Sequence, residues 1–129
     1  MFRVLIVGCG FVGLPVARLF HQRGCEVLGC THSQESAAAL EGEPFPVIAV
    51  DVADRGAVAE LRQAGRFDAV IHCASSGRGG AEQYRRVYLE GARNLLSTLS
   101  PTFLVFTSST SVYAQTDGSV VTEQSEAAP

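Results

Sequence analysis

Three glycines spaced as Gly8-x-Gly10-x-x-Gly13 follow the apolar, β-branched run Arg3–Val7 and lead into a helix pattern. Each has a physical task in holding a diphosphate. Gly8 turns the chain sharply out of a strand. Gly10 lets backbone approach a pyrophosphate with no Cβ in the way, and Gly13 lets the next helix pack closely on a sheet. The backbone of Gly8, Gly10, Phe11, Val12 and Gly13 is therefore the expected phosphate seat, with unpaired N–H groups and the positive end of a helix dipole facing the anion. A bare glycine turn mimics this spacing, but here a strand precedes it and a helix follows.

Four further segments carry groups that suit a dinucleotide. A cofactor with a free 2′-hydroxyl usually meets an Asp or Glu roughly 20 residues past the glycines. Here that stretch reads Cys30-Thr31-His32-Ser33, with no carboxylate until Glu35. Thr31, His32 and Ser33 can donate hydrogen bonds to a 2′-phosphate, so NADP is favoured over NAD, although no arginine stands among them. His32 reads equally well as an exposed loop imidazole. Asp51 and Val52 place a carboxylate for an adenine amino group beside an apolar side chain for its ring, and an Asp at a strand end also serves as a turn cap. Ala74 and Ser75 end another apolar run. Ser108 and Ser109 end the last one, in Phe106-Thr107-Ser108-Ser109-Thr110-Ser111-Val112-Tyr113, where the alternative is a polar strand-end turn.

These segments need a scaffold that brings them to one edge. Strand patterns over Arg3–Val7, Glu26–Gly29, Val47–Val50, Ala69–Ala74 and Thr102–Thr107 alternate with helix patterns, the signature of a parallel α/β sheet. The first helix places Val12, Val16, Leu19 and Phe20 on one face, has Pro15 in its first turn and ends at Gly24. A short helix is expected over Gln34–Leu40. Asp54 reads as the N-cap of a helix over Gly56–Ala64, and a loop runs from Ser75 through Arg78 to Gly80. The longest helix, Glu82–Leu99, carries Tyr84, Val87, Tyr88, Gly91, Leu95 and Leu99 on one stripe and stops at Pro101. The strands read VLIV, VIAV, AVIHCA and FLVF, apolar enough to be covered on both faces. The expected fold is α/β, a doubly wound, mostly parallel, Rossmann-like sheet of order 3-2-1-4-5 with helices on both faces. Its ligand edge lies beyond the strands' carboxyl ends, at the switch between strands one and four.

Composition sets the bounds. The 129 residues suit one domain and one core, and the chain is 47% hydrophobic and 18% charged. A net charge of −3 without a Lys/Arg cluster argues against nucleic acid as a partner. No apolar run reaches membrane-spanning length and no leader pattern opens the chain, so a cytoplasmic protein is expected. Cys9, Cys25, Cys30 and Cys73 form no C-x-x-C pair, and His21, His32 and His72 lack ligand spacing. Buried, reduced thiols and no metal are the expectation.

With the glycine turn, DVAD at Asp51–Asp54, VIHCAS at Val70–Ser75, EGARNLL at Glu90–Leu96 and S-S-x-x-V-Y at Ser108–Tyr113, the chain resembles the extended short-chain dehydrogenase/reductases, the NAD-dependent epimerase/dehydratase family. The resemblance implies that Ser109 is the catalytic Ser/Thr that bonds the reacting oxygen. The family's catalytic tyrosine belongs to a Y-x-x-x-K motif, where the lysine lowers the phenol pKa. That motif is absent here, and the chain contains no lysine. Two departures resemble an atypical branch: the usual G-x-x-G-x-x-G would need glycine at Val7, and Tyr88 stands where typical members carry Asn. The expected protein is a dinucleotide-binding portion of a longer polypeptide, an NAD(P)-dependent oxidoreductase, epimerase or dehydratase acting on a sugar-nucleotide-like or other hydroxyl or carbonyl substrate. The alternative is a catalytically silent NAD(P)-binding regulatory or redox-sensing module. The 82–99 helix suits a homodimer contact or packing on the sheet. After its fifth strand the sheet has an open edge.

Overall fold

A computed structural model describes residues 1–77 and 79–128, with Thr110 described by its backbone alone; Arg78, inside the expected 75–80 loop, and Pro129 lie outside the described residues. Five parallel strands make one sheet in the order β3-β2-β1-β4-β5: β1 Arg3–Val7, β2 Glu26–Thr31, β3 Val47–Ala49, β4 Ala69–His72 and β5 Phe103–Phe106. The helices are α1 Gly13–Gln22, α2 Gln34–Ala38 and α3 Arg55–Glu60, the last prolonged by the 3₁₀ turn Leu61–Ala64. A longer helical run over 81–99 comprises α4 Ala81–Tyr84, a π turn Arg85–Glu90, α5 Gly91–Asn94 and a second π turn Leu95–Leu99. Ser33 and Asp54 cap α2 and α3, their side chains accepting from Ser36 N–H at 3.1 Å and Ala57 N–H at 3.2 Å. The 81–99 run stops where Ser100 turns left-handed at φ 44°, just before Pro101.

Alternation along the central strands sends side chains to two cores, one on each face of the sheet. Leu5, Val7 and Val70 join Val52, Val58, Phe67, Leu95 and Leu99 under α3 and the 81–99 helix. Val4, Ile6, Ala69 and Ile71 join Ala17, Val27 and Phe45 under α1. Burying each large aliphatic side chain on β1 stabilises the fold by about 1.5–3 kcal/mol, and β1 sits at the middle of the sheet because it alone supplies four consecutive buried ones.

Three expectations are corrected. The buried face of α1 is Gly13 and Ala17 with partly buried Leu14, Val16 and Phe20, whereas Val12 and Leu19 are exposed. Small residues one turn apart let the helix axis approach the sheet, so the closest face carries the least apolar bulk. β2 runs on to Thr31 because β3 pairs with it there, and β4 ends at His72 because the Ala74 amide turns back onto the His72 ring. Finally, β5 is not covered on both faces: Phe103, Val105 and Phe106 are exposed.

The 81–99 stripe faces inward, with Val87, Gly91, Leu95 and Leu99 buried. Polar ties fix it. Asn94, buried, donates through Nδ2 to the Val52 carbonyl at 2.8 Å, and a Cβ on Gly91 would lie 2.8 Å from a Val52 methyl. His72, also buried, accepts the Ala74 N–H at Nδ1 (3.2 Å), so its proton resides on Nε2, which donates to the Val87 carbonyl at 3.0 Å. That carbonyl is available because, at the end of the first π turn, the backbone N–H groups close on Arg86 and Tyr88 instead.

Replacing Asn94 by Ala leaves the Val52 carbonyl buried without its donor. Urea unfolding should show a loss of about 1–3 kcal/mol, with Asn94→Asp at least as costly because an acceptor then faces an acceptor. Burial holds the His72 pKa below its ordinary value of 6.5, outweighing the Val87 bond, which acts the other way. The unfolded chain therefore takes a proton that the folded chain refuses. Stability is undiminished above that value and falls as pH drops through it, by up to about 1.4 kcal/mol per pH unit. Denaturant midpoints between about pH 7.5 and pH 5.5 should show a steeper fall for the parent chain than for His72→Gln.

Candidate functional site

The carboxyl edge of the sheet is organised by the turn after β1. Gly8 has φ +90°, and a Cβ there would lie 2.5 Å from the backbone N and Cα of Ala74. A Cβ on Gly13 would lie 1.7 Å from the Gly8 carbonyl oxygen. Both glycines are thus demanded by backbone seated on backbone. Gly10 differs, because a Cβ there would meet nothing within 4 Å. The space in front of it is open, as the approach of a diphosphate requires.

The mouth of α1 is equally suited to an anion. Val12 is its N-cap and offers no side-chain oxygen to the first amides, and the first turn contains no acidic residue. The Leu14 N–H closes on the Gly10 carbonyl at 3.0 Å. The amides ahead of it keep the uncapped helix end and its positive partial charge. Phe11, at the tip of the turn, is 98% exposed and leaves this mouth unobstructed.

Two cavities flank the segment Ala74–Ser75. The first, of about 180 Å³, lies beside the glycine turn and is lined by Gly8, Thr31, His32, Asp51 and Val52 together with Ala74 and Ser75. The second, of about 300 Å³, lies between the ends of β4 and β5, where Ser108, Ser109, Tyr84 and Tyr88 join Ala74 and Ser75. Apart from the turn residues Gly10–Gly13, the expected residue that lines neither cavity is Ser33. Its hydroxyl is engaged at the start of α2, with the Ser36 N–H and the Ser36 hydroxyl. The Thr31 hydroxyl also has a local task, donating to the Ser33 carbonyl at 3.0 Å. His32 is exposed.

Asp51 combines the two roles its position suggested. One carboxylate oxygen accepts from the Ala53 N–H at 3.0 Å, as a turn cap does, while the side chain lines the first cavity. The other oxygen accepts from Arg86 at 3.2 Å. Ser109 accepts the Ser111 N–H at its Oγ (3.1 Å), which leaves the hydroxyl proton to be donated elsewhere. Beneath the turn, burial pushes the thiol of Cys9 up to about 11 and that of Cys30 up to about 12, so both pack as apolar groups. Among the described residues no group of three or more His, Cys, Asp or Glu side chains is placed to hold a metal ion, and no helix is long and apolar enough to cross a membrane.

Several residues of this edge escaped the sequence reading. Gln83 lines the first cavity, and Arg86 holds Asp51 from across it. Only the i, i+3 placement of Gln83 and Arg86, on the polar flank of the 81–99 stripe, could have hinted at them. His72, Tyr84, Tyr88 and Phe106 form an aromatic cluster behind the second cavity, with centroid separations of 4.5 Å for Tyr84–Tyr88 and 5.0 Å for His72–Phe106.

The sequence profile of the NAD dependent epimerase/dehydratase family matches residues 4–129. Protein YeeZ of Escherichia coli strain K12 is 31% identical over 125 residues, covering 93% of this chain and 45% of YeeZ. The chain thus spans a little under half the length of that curated relative. The solved UDP-glucose 4-epimerase of Thermus thermophilus, complexed with NAD, is similar with a TM-score of 0.83 and 24% identity, over 99% of this chain and 45% of that one. The UDP-Glc/GlcNAc 4-epimerase of Campylobacter jejuni gives 0.81 and 23%, over 100% and 44%. The enzyme WbmH of Bordetella bronchiseptica, in complex with NAD+, gives 0.62 and 27%, over 76% and 34%. With the glycine turn, the strand order and this match from β1 onward in agreement, the chain belongs to the NAD dependent epimerase/dehydratase family.

Proposed function

We propose that this chain is the dinucleotide-binding portion of an NAD(P)-dependent oxidoreductase, epimerase or dehydratase that acts on a sugar-nucleotide-like or other hydroxyl or carbonyl substrate. The observation that carries the reading is the open space before Gly10 at an uncapped helix mouth, between two glycines that packing makes obligatory. The family match supports it. In this reading the diphosphate sits on the backbone of Gly10–Gly13 and the adenosine occupies the cavity beside Thr31, His32, Asp51 and Val52. Asp51 accepts from the adenine amino group and Val52 packs on its ring.

When bound, the nicotinamide supplies the hydride acceptor or donor. The chain's own groups orient the reactants. Ser109 has its oxygen engaged by Ser111 N–H and its proton free to bond the substrate's reacting oxygen. The end of β2 carries no carboxylate to repel a 2′-phosphate, and among the described residues His32 is the one of its three expected donors without a local hydrogen-bond partner. Both dinucleotides are accepted in this reading, with a modest preference for NADP. The protein works in the cytoplasm, where its thiols stay reduced.

The test is binding. NADH and NADPH fluorescence should rise on mixing with the protein, NADPH binding as tightly as NADH or a few-fold tighter. No change with either at millimolar cofactor overturns the reading. Gly10→Val should abolish binding, because a branched side chain fills the diphosphate's place. Its thermal midpoint should stay within about 2 °C of the parent, since the Cβ it adds has no protein atom within 4 Å. Retained affinity in that variant would contradict the site.

A further inference from the structure

Tyr88 lines the second cavity, and the reading above leaves its chemistry unused. Its ring is fixed on several sides. It stacks on His72 at 6.4 Å between centroids and 20° between planes, meets Phe106 edge-on at 5.9 Å, and has Tyr84 at 4.5 Å. Its Oη accepts from the Ser76 N–H at 3.4 Å and lies among the Ser75 and Ser76 hydroxyls. The side chain lines the same cavity as Ser109, and the wall it shares with the first cavity is Ala74–Ser75. A dinucleotide with its adenosine in the first cavity and its diphosphate over Gly10 has the second cavity as the place for its other half.

From this placement we infer that Tyr88 is a catalytic-site residue whose phenol stands beside the nicotinamide ring, with Ser109 on the same cavity wall. The inference rests on the dinucleotide reading. A phenol held by three ring contacts loses little side-chain freedom when it meets a ligand, so it suits an orienting role. Among the described residues the titratable groups around it are His72 from β4, Cys73 from the segment after it and Tyr84 from its own helix, while Phe106 at the end of β5 and Thr107 just after it complete the wall. Burial holds His72 below its ordinary pKa, against the opposing pull of its bond to the Val87 carbonyl. Burial opposes ionisation of Tyr88, but bonds from the Ser76 N–H and from the Ser75 and Ser76 hydroxyls outweigh it and bring the phenol below its ordinary pKa.

The charge of the nicotinamide ring is the probe. NAD+ carries a positive ring and NADH a neutral one, so only NAD+ should favour the phenolate. The full-length protein and its Tyr88→Phe variant are titrated with alkali, and the difference in phenolate absorbance isolates Tyr88. The same titration is repeated with saturating NAD+ and with saturating NADH. The expected result is a Tyr88 midpoint lowered by about half a pH unit or more with NAD+ and not lowered by NADH. A merely structural tyrosine would not distinguish the two. Binding is followed in the same samples by NADH fluorescence and its displacement by NAD+. If both bind and the midpoint stays put or moves equally, the placement of Tyr88 is overturned and the dinucleotide reading stands. If neither binds, both fall. Tyr88→Asn, the residue typical family members carry there, gives the same difference should the phenylalanine variant not fold.

Discussion

The seating of the first glycine turn against the end of β4 is the constraint on which the rest of the edge depends. Gly8 lies against the Ala74 backbone, and Gly13 lies against the Gly8 carbonyl, with no room for a Cβ at either. That contact fixes where β1 ends and how α1 leaves it. It also sets how near Ala74 and Ser75 come to the turn, and hence where the wall between the two cavities stands. A methyl group at either position would move backbone, a displacement that close-packed interiors resist strongly. Gly10 stands between them for the opposite reason, because it is needed for what stays empty.

The second organising element is the 81–99 helix, which acts as a brace across the carboxyl edge. Asn94 and Gly91 hold Val52, Arg86 holds Asp51, and the Val87 carbonyl holds His72. These ties join the ends of β3 and β4 through one rigid piece, so the two flanks of the first cavity keep a common frame. The π turns are part of the device, since they alter which carbonyls the helix uses itself and leave that of Val87 to the imidazole.

Much of this was legible in the residues. The order 3-2-1-4-5 followed from alternating strand and helix patterns, and the cap at Asp54 obeys a rule that needs only a few neighbouring residues. The crevice was legible because a parallel sheet sends every strand's carboxyl end to the same side. What stayed hidden depends on contacts between segments distant in sequence. Leu19 fits the apolar pattern of α1 as well as Phe20 does, yet packing excludes it because Gly13 and Ala17 bring the axis close to the sheet. The Arg86–Asp51 pair spans 35 residues and has no local signature. FLVF at β5 reads like an interior strand, because nothing in its composition shows that a neighbour lies on one side only. For Ser33 the local rule won, as its hydroxyl serves the helix that it begins.

The two thiols beneath the turn have a consequence for how the crevice meets its surroundings. A sulfhydryl that stays protonated until about 11 or about 12 presents almost no thiolate near neutral pH, and both sulfurs belong to buried residues. Alkylating reagents and peroxides therefore find no ready nucleophile there. Of the two, Cys30 lines the first cavity, and its buried thiol offers nothing to an electrophilic compound that enters there.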